Sequence, residues 1–427
     1  MAINHPRLLS DPLPLRRTTE LGQYKQDTLI PWVYGRITIT PIALDNKGSE
    51  WLLADHPIQA VTAVTVGGVT TSGYQLINRI DNTGHPIATL RLTQPPKDNA
   101  AVTVSITGKR GADTGAVIEH PRDIIRDLLT ECGWMLASDA LDNLLDEYPN
   151  LTLAGTFNTA IPLRDAIGQI TSSIDAIWSG SPLMVRRRDT TNPPVAVLNP
   201  RDMQTPSATS DATRLATILR VRYAQNAATG QPDAAMTVHA PDRIEEIGEI
   251  TADLTMPWLR TAKDALAIAS RVLQRKAQPM WEITDTIDAT DSQFWQCGDT
   301  IALAHPWLPS GNAQITAMDF SPDSSRLGLT LSMLAGEQPA VELLTRSSAI
   351  QPQASDPLKI AYANGVATFT ITDDTGAPIA GAAVTLDGQT THQTDRYGAV
   401  QFKTTRGDHT LSVTAAGYAP FEITVGV

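Results

Sequence analysis

The stretch His120-Pro121-Arg122-Asp123-Ile124-Ile125-Arg126-Asp127-Leu128-Leu129-Thr130-Glu131-Cys132-Gly133 is where the period of the chain changes. Before it, apolar residues alternate: Val61, Ala63, Val64 and Val66 run up to Gly67-Gly68, and Leu90, Leu92, Val102, Val104 and Ile106 continue the same period of two. Within it, Ile124, Ile125, Leu128, Leu129 and Cys132 recur at helical spacing, with Pro121 at a favoured first-turn position and Gly133 as the stop. Strands are therefore predicted for about the first hundred residues, followed by an amphipathic helix of about three turns. A second helix is predicted from Pro162, with Leu163, Ile167, Ile170, Ile174 and Ile177 stepping by threes and fours until Gly180. Leu183, Val185, Val195 and Val197 then read as strands. A third helix, near Pro257 to Gln278, sets Leu259, Ala262, Leu266, Ala269 and Leu273 on one face, with Arg260, Lys263, Arg271 and Lys276 largely elsewhere. Strands resume at Glu282 to Ile287, and a Gly298-Asp299 turn leads into Thr300, Ile301 and Leu303. This order of elements predicts a multidomain, β-rich α+β fold rather than a doubly wound parallel sheet.

The end of the chain has its own character. From Gly365 onward, turn signals come at regular intervals with alternating apolar residues between them: Asp374-Thr375-Gly376-Ala377-Pro378-Ile379, Gly381-Ala382-Ala383-Val384, Thr394-Asp395-Arg396-Tyr397-Gly398 and Gly417-Tyr418. A small β-sandwich is predicted there. Pro352 to Pro357 has linker composition. The expected division is 1–115, a β-rich domain; 116–215, a helix-containing domain; 216–350, a second β-barrel domain with the long helix; 351–364, a linker; and 365–427, the sandwich.

Composition narrows the function. With 427 residues and 42% apolar content, the chain can fill several cores. A net charge of -12 argues against a general binder of nucleic acid or anionic membrane. The two cysteines, Cys132 and Cys297, lie too far apart in sequence to suggest a disulfide framework or a cysteine zinc site and are expected to be small buried residues. Met1 to Leu15 has prolines and charges where a signal peptide needs an apolar core, and no stretch approaches the roughly 18 apolar residues of a membrane span. The chain is thus expected to fold in the cytoplasm.

Motifs for chemistry are weak. Val66-Gly67-Gly68-Val69 is too short for a phosphate loop and reads as a hairpin turn. None of the eight histidines pairs with another at metal-ligand spacing; His56-Pro57, His85-Pro86, His120-Pro121 and His305-Pro306 read as turn or element-entry residues. The adjacent carboxylates Asp146-Glu147 and Glu245-Glu246 diverge on either secondary structure, so a solvated acidic surface is expected rather than an acid/base pair. Gly180-Ser181-Pro182 lacks the pattern of a nucleophile elbow. Arg186-Arg187-Arg188 could touch a nucleic acid or an acidic partner, but in a strand its side chains alternate faces, which suits an edge or subunit-contact set. Trp32, Trp51, Trp134, Trp178, Trp258, Trp281, Trp295 and Trp307 are dispersed as core and interface anchors would be, not clustered for stacking sugars. No catalytic, cofactor-binding or metal-ligating residue is assigned, and a non-enzymatic role is expected.

An ordered series of segments resembles the tail-tip and baseplate hub proteins of long-tailed bacteriophages, the J-type host-specificity and tail hub family. Leu29-Ile30-Pro31-Trp32-Val33-Tyr34-Gly35-Arg36 is similar to a P-x-V-Y-G-R segment near the start of such proteins, and His120 to Leu129 to their P-x-D-I-x-R-D-L-L helix. Leu163 to Gly180 resembles the following helix, and Leu183-Met184-Val185-Arg186 the strand after it. Ile218-Leu219-Arg220-Val221-Arg222-Tyr223 with Asn226 resembles the strand that opens the next hub domain, and Trp295-Gln296-Cys297-Gly298-Asp299-Thr300-Ile301 the x-x-G-D-x-V strand after its long helix. Together they span about Thr28 to Leu334, and their order carries the resemblance. It implies a homotrimer that closes the tail tube, joins the distal tail protein to tail fibres or receptor-binding proteins, holds the end of the tape-measure protein, and opens so that DNA passes through the lumen without specific binding. An acidic wall would let DNA slide. Residues 365–427 resemble the carboxypeptidase-regulatory-like or invasin-type immunoglobulin-like family, through D-x-x-G-x-P-I-x-G-A-x-V at Asp374 to Val384, T-D-x-x-G at Thr394 to Gly398 and x-G-Y at Ala416 to Tyr418; such modules hold neighbouring proteins or touch the host cell surface. A surface adhesin and a tail-associated cell-wall hydrolase are the alternatives. The first should carry a secretion signal; the second needs a paired-acid or metal constellation.

Overall fold

The glycine pair at 67–68 sets the geometry of the first sheet. Both residues have positive φ (58° and 83°), and Val66 pairs with Val69 across a two-residue turn, the conformation that matches strand twist. The computed structural model describes residues 9–426 apart from 22–26, 46, 98–99, 112–113, 138, 140, 181–182, 190–191, 211–213, 289–294, 322–325, 335–338, 349–357, 364–365, 372–378, 397, 406 and 416–420. The chain divides into two compact units, residues 1–346 and 347–427. The fold is β-rich α+β, as the periodicity predicts.

In the first unit, two four-stranded antiparallel sheets share one core. One runs in the order Arg36–Ile39, Val102–Lys109, Ile58–Val66, Val69–Thr71, and the other Ile42–Ala43, Glu50–Ala54, Pro86–Leu92, Tyr74–Ile80. Their alternating residues Ile37, Ile39, Leu53, Ile58, Val64, Leu90, Val102, Val104 and Ile106 are all buried together. Helix α1, Pro121–Glu131, follows. His120 caps it by accepting from the Arg122 amide, Pro121 occupies its first turn, and Gly133 (φ 84°) follows the C-cap Cys132. Its buried stripe, Ile124, Ile125, Leu128 and Leu129, packs on α2, Asn143–Glu147, and α3, Leu163–Ser173.

The second helix is shorter than its periodicity predicts. Although Ile174 and Ile177 extend the apolar stripe, α3 ends at Ser173, because Asp175 takes φ 57° and turns the chain. Ile177 instead lies in the strand Ala176–Gly180, paired with Leu183–Arg187, and its side chain enters the core of a different sheet. That sheet has six strands in the order Ala196–Leu198, Thr300–Leu303, Gly311–Ser321, Arg326–Leu334, Met280–Asp288, Ser207–Ser210. A four-stranded sheet, Thr251–Met256, Ile218–Gln225, Pro232–His239, Glu342–Ser348, carries α5, Ala262–Lys276, on its two inner strands, Ile218–Gln225 and Pro232–His239. Between the strands Pro232–His239 and Thr251–Met256 lies α4, Pro241–Ile247. The buried face of α5 is Ala265, Ile268, Ala269, Val272 and Leu273, rotated from the predicted stripe. Thr261 caps the helix by accepting from the Asp264 amide at 3.1 Å, so Leu259 lies before it and bridges to Leu153 instead. Helices α2 and α4 are not predicted from the sequence. Among the described residues, no helix is long and apolar enough to cross a membrane.

The second unit is a sandwich of a three-stranded sheet, Leu358–Ala363, Val366–Ile371, Ala399–Lys403, and a four-stranded sheet, Thr390–Gln393, Ala383–Leu386, Asp408–Thr414, Phe421–Gly426. Phe369, Ile371, Val384, Leu386, Val400, Phe402, Leu411 and Val413 form its core. The Thr394-Asp395 turn has a direct explanation: the Thr394 hydroxyl accepts from the Ala382 amide and donates to the Ile379 carbonyl, Asp395 accepts from the Ala399 amide, and Gly398 takes φ 71°. Asp374 to Pro378, Tyr397, Ala416 to Tyr418 and the expected linker Pro352 to Pro357 lie outside the described residues.

Candidate functional site

Two knots of polar contacts in the first unit bring together segments that are far apart in sequence. The first is built on Trp32-Val33-Tyr34-Gly35. Tyr34 is fully buried, and its hydroxyl donates to the Asp127 carboxylate of α1 at 2.7 Å. Lys109 reaches the same carboxylate at 2.7 Å and Glu131 at 2.6 Å, while its ammonium lies 5.7 Å from the Trp32 ring centre. Burial pushes the Asp127 carboxyl up against the pull of Lys109, and it pushes the Tyr34 phenol far up. The ring of Tyr34 packs edge-on to Phe157 and near Trp258. This closeness demands glycine: a Cβ on Gly35 (φ 62°) would lie 2.1 Å from the Leu153 carbonyl oxygen, and one on Gly155 2.6 Å from the Trp258 ring. His56, just behind, donates to the Pro57 carbonyl and accepts from the Val33 amide at 2.9 Å; burial lowers its pKa to about 3 and keeps it neutral.

The second knot absorbs the arginine run. The Arg187 amide donates to Glu147 at 2.6 Å, and its guanidinium pairs with Asp189 at 2.7 Å. Arg186 stands 3.8 Å from Glu147 and packs on Gly298, where a Cβ would meet it at 2.5 Å. Gln314, 3% exposed, accepts from the Asp189 amide and donates to the carbonyls of Arg187 and Gly298, tying the Leu183–Arg187 strand to the six-stranded sheet. Asp175 is held by Arg275 of α5 through two 2.6 Å hydrogen bonds and lies 3.8 Å from Arg188. Tyr148 donates to the Ile174 carbonyl and lies under Arg271. The arginines of the run are thus part of internal architecture.

The other residues singled out in the sequence are scattered. His120 is a helix cap that also reaches the Tyr148 carbonyl, and His305 lies edge-on to Trp307. Glu147 is not the solvated carboxylate expected, because it binds Asn143 and the Arg187 amide; Asp146 is exposed. Glu246 pairs with Arg243 on α4, and Glu245 is exposed. Ser181 and Pro182 lie outside the described residues. Cys132 and Cys297 are buried and form no disulfide, and burial raises the pKa of the Cys297 thiol. Trp32 and Trp258 are core residues, whereas Trp307 is 88% exposed. Among the described residues, no three His, Cys, Asp or Glu side chains are placed to hold a metal. Asp175, Arg275, Tyr148 and Gln314 were not singled out in the sequence, and their types and spacing there give no signal of the contact they make.

Solved structures similar to the chain include a component of the virion of a native gene transfer agent particle, at 14% identity and TM-score 0.49 over 78% of this chain and 89% of that one. They also include the tail protein from Neisseria meningitidis MC58, at 12% identity and TM-score 0.32 over 71% and 96%, and the 43 kDa tail protein of prophage MuSo2 from Shewanella oneidensis, at 12% and 0.35 over 72% and 98%. No curated protein matches the chain. Residues 368–427, within the C-terminal sandwich, match the family model of the carboxypeptidase regulatory-like domain.

Proposed function

We propose that the chain is a structural component of a phage tail, the trimeric hub at the tail tip of a siphophage. The observation that carries this reading is the meeting of the recurring segments. Tyr34 of the first holds Asp127 of the second, and Arg186 of the strand after α3 packs on Gly298 of the Gly298-Asp299 turn. Segments that resemble one family in order, and that also form one another's packing, are what a scaffold working by shape requires.

In this proposal the protein is made in the host cytoplasm and resides in the virion tail. It closes the tube, anchors the tape-measure protein, and joins the distal tail protein to fibres or receptor-binding proteins, with the C-terminal sandwich toward neighbouring proteins or the host surface. DNA passes during ejection without specific binding. The role needs no catalytic, cofactor or metal site, and the first unit is divided in this proposal at 115/116 and 215/216; the expected boundary at 364/365 is replaced, because Leu358–Ala363 is a strand of the sandwich. Purified chain should run as a trimer by light scattering and leave cell walls intact, and labelled antibody should mark the lower end of tails. A monomer, lytic activity, or label elsewhere on the particle would overturn the proposal.

A further inference from the structure

At one end of the C-terminal sandwich, three chain segments converge on the ring of His409. Its strand, Asp408–Thr414, runs beside Ala383–Leu386, and the turn that leaves the latter begins with Asp387. Asp387 takes φ 51° and is fixed there by the backbone: its amide donates to the Thr410 carbonyl at 2.7 Å, and its Oδ1 accepts from the Thr410 amide at 2.8 Å. Its Oδ2 is left for His409, whose Nδ1 lies 2.7 Å away. On the other side of the ring, Nε2 lies 2.9 Å from the Thr405 carbonyl oxygen and 3.0 Å from the Thr404 hydroxyl.

These partners decide where the protons are. The hydrogen bond from His409, and after it the one from the Thr410 amide, holds the Asp387 carboxyl below the usual carboxylate range, so at neutral pH it can only accept. Nδ1 must therefore carry a hydrogen. A carbonyl also only accepts, so Nε2 must carry one too. A neutral imidazole has a single N–H and would turn a lone pair toward either the carboxylate or the Thr405 oxygen, whereas the doubly protonated ring fits both. The Thr404 hydroxyl is the partner that can reverse its role: it accepts from Nε2–H and can donate to a bare Nε2. Across the neighbouring strand His409 is paired with Val425, and Lys403 and His392 line the groove that Asp387 and Thr404 also line. Lys403, a cation, works against charge on His409, and Asp387 favours it. Arg406 and the side chain of Asp408 lie outside the described residues.

We propose that His409 is a proton-operated clasp. As an imidazolium it ties the Asp387 turn to Thr405, in the connection between Ala399–Lys403 and Asp408–Thr414. When it gives its Nε2 proton to solvent, the bond to the Thr405 carbonyl is lost, Thr404 turns its hydroxyl toward the ring, and the connection is released from the turn. A group favoured in its protonated form contributes in full below the unfolded-chain value of about 6.5, and that contribution is lost as pH rises through its own midpoint. The sandwich thus holds this connection more tightly in mildly acidic than in alkaline surroundings. This inference is independent of the tail role, since it concerns a contact within the second unit.

The test is a pH titration of the full chain with nitrogen-15-labelled histidine, in which the ring nitrogen shifts report protonation and tautomer, and His409→Gln identifies the signal. We expect both nitrogens to be mainly protonated at pH 7, a midpoint about one unit or more above the 6.5 of an unperturbed histidine, and a fall of about one unit in Asp387→Asn, whose side-chain oxygen still accepts from the Thr410 amide. Release is read by tryptic cleavage after Lys403, each rate divided by that of a peptide of the same sequence. From pH 6.5 to pH 9 that ratio should rise about tenfold in the parent, the factor that a one-unit shift carries, and should be high and level in His409→Gln. If His409→Gln fails to fold, Asp387→Asn decides the matter, because it should move the rise to lower pH. A midpoint at or below about 6.5, a ring with a single N–H at pH 7, a midpoint unmoved in Asp387→Asn, or a cleavage ratio level across the titration would overturn the proposal.

Discussion

Single residues in the first knot hold positions that no other side chain can take. Gly35 combines φ 62° with a Cβ position 2.1 Å from a backbone oxygen that cannot swing aside. Gly35→Ala should therefore cost on the order of 3 kcal/mol, read as a fall in the urea midpoint of the first unit with the slope unchanged. An unshifted midpoint would mean that the strand and the Leu153 loop can part without loss. His56 makes a prediction in pH. Burial, and after it Lys109 and His85, lower its pKa from 6.5 to about 3, so the unfolded chain takes up a proton where the folded chain does not. Stability is complete above about pH 6.5 and is lost as pH falls from there toward about 3. Between pH 6.5 and about 5 the His56 share of the loss is about 2 kcal/mol, at about 1.4 kcal/mol per unit. His56→Gln, which can still accept from the Val33 amide, should flatten that slope in urea titrations; a variant with the same slope as the parent would assign the pH dependence elsewhere. The motif residues Tyr34 and Gly35 are visible in the sequence, but the reason for them is not, since the partner Asp127 lies 93 positions away.

At the scale of elements, legibility follows length and local capping. Helix α1 could be read whole because its apolar spacing, first-turn proline and C-terminal glycine agree. Helices α2 and α4, five and seven residues long, are too short to express a period. In α3 the apolar residues continued past the true end, and only Asp175 in a left-handed conformation, invisible to periodicity, separated Ile170 from Ile177. In α5 the cap at Thr261 was the signal that could have set the face, because it removes Leu259 from the helix. Thr261→Ala should cost about 1 kcal/mol in thermal or urea unfolding of the first unit, and Thr261→Ser should not. The contact between the turn after α3 and α5 could not be read at all. Asp175 and Arg275 are 100 residues apart, and their pair is largely buried, with 9% and 17% of the side chains exposed. Arg275→Met would leave the carboxylate facing only the more distant Arg188, at a cost of roughly 3 kcal/mol. Asp175→Asn on that background should recover part of the loss, because asparagine tolerates positive φ and carries no charge; a further loss instead would show that Arg188 alone satisfies Asp175.

For the molecule as a whole, the two units differ in what they need from the rest of the chain. The core of the second is drawn from Ala367, Phe369, Ile371, Ala382, Val384, Leu386, Val400, Phe402, Leu411 and Val413, all within residues 347–427. Its two sheets likewise pair only strands from that span, and its Thr394-Asp395 turn is closed by local partners. A segment of this size with two packed sheets lies in the range of independently folding domains, provided that its apolar burial offsets the ordering of the chain. Residues 347–427 expressed alone should therefore give a monomer that unfolds in a single cooperative transition, with probes of strand content and of tertiary packing melting together. Phe402→Ala tests whether the transition reports this core: Phe402 is buried, edge-on to Phe369 and stacked with His392, so its removal should cost about 3 kcal/mol or more and leave so small a domain unfolded or nearly so at ambient temperature. A fragment that lacks a cooperative transition would mean that the sandwich needs the preceding residues to fold, and the carboxypeptidase regulatory-like match would then mark an architecture without marking an autonomous domain.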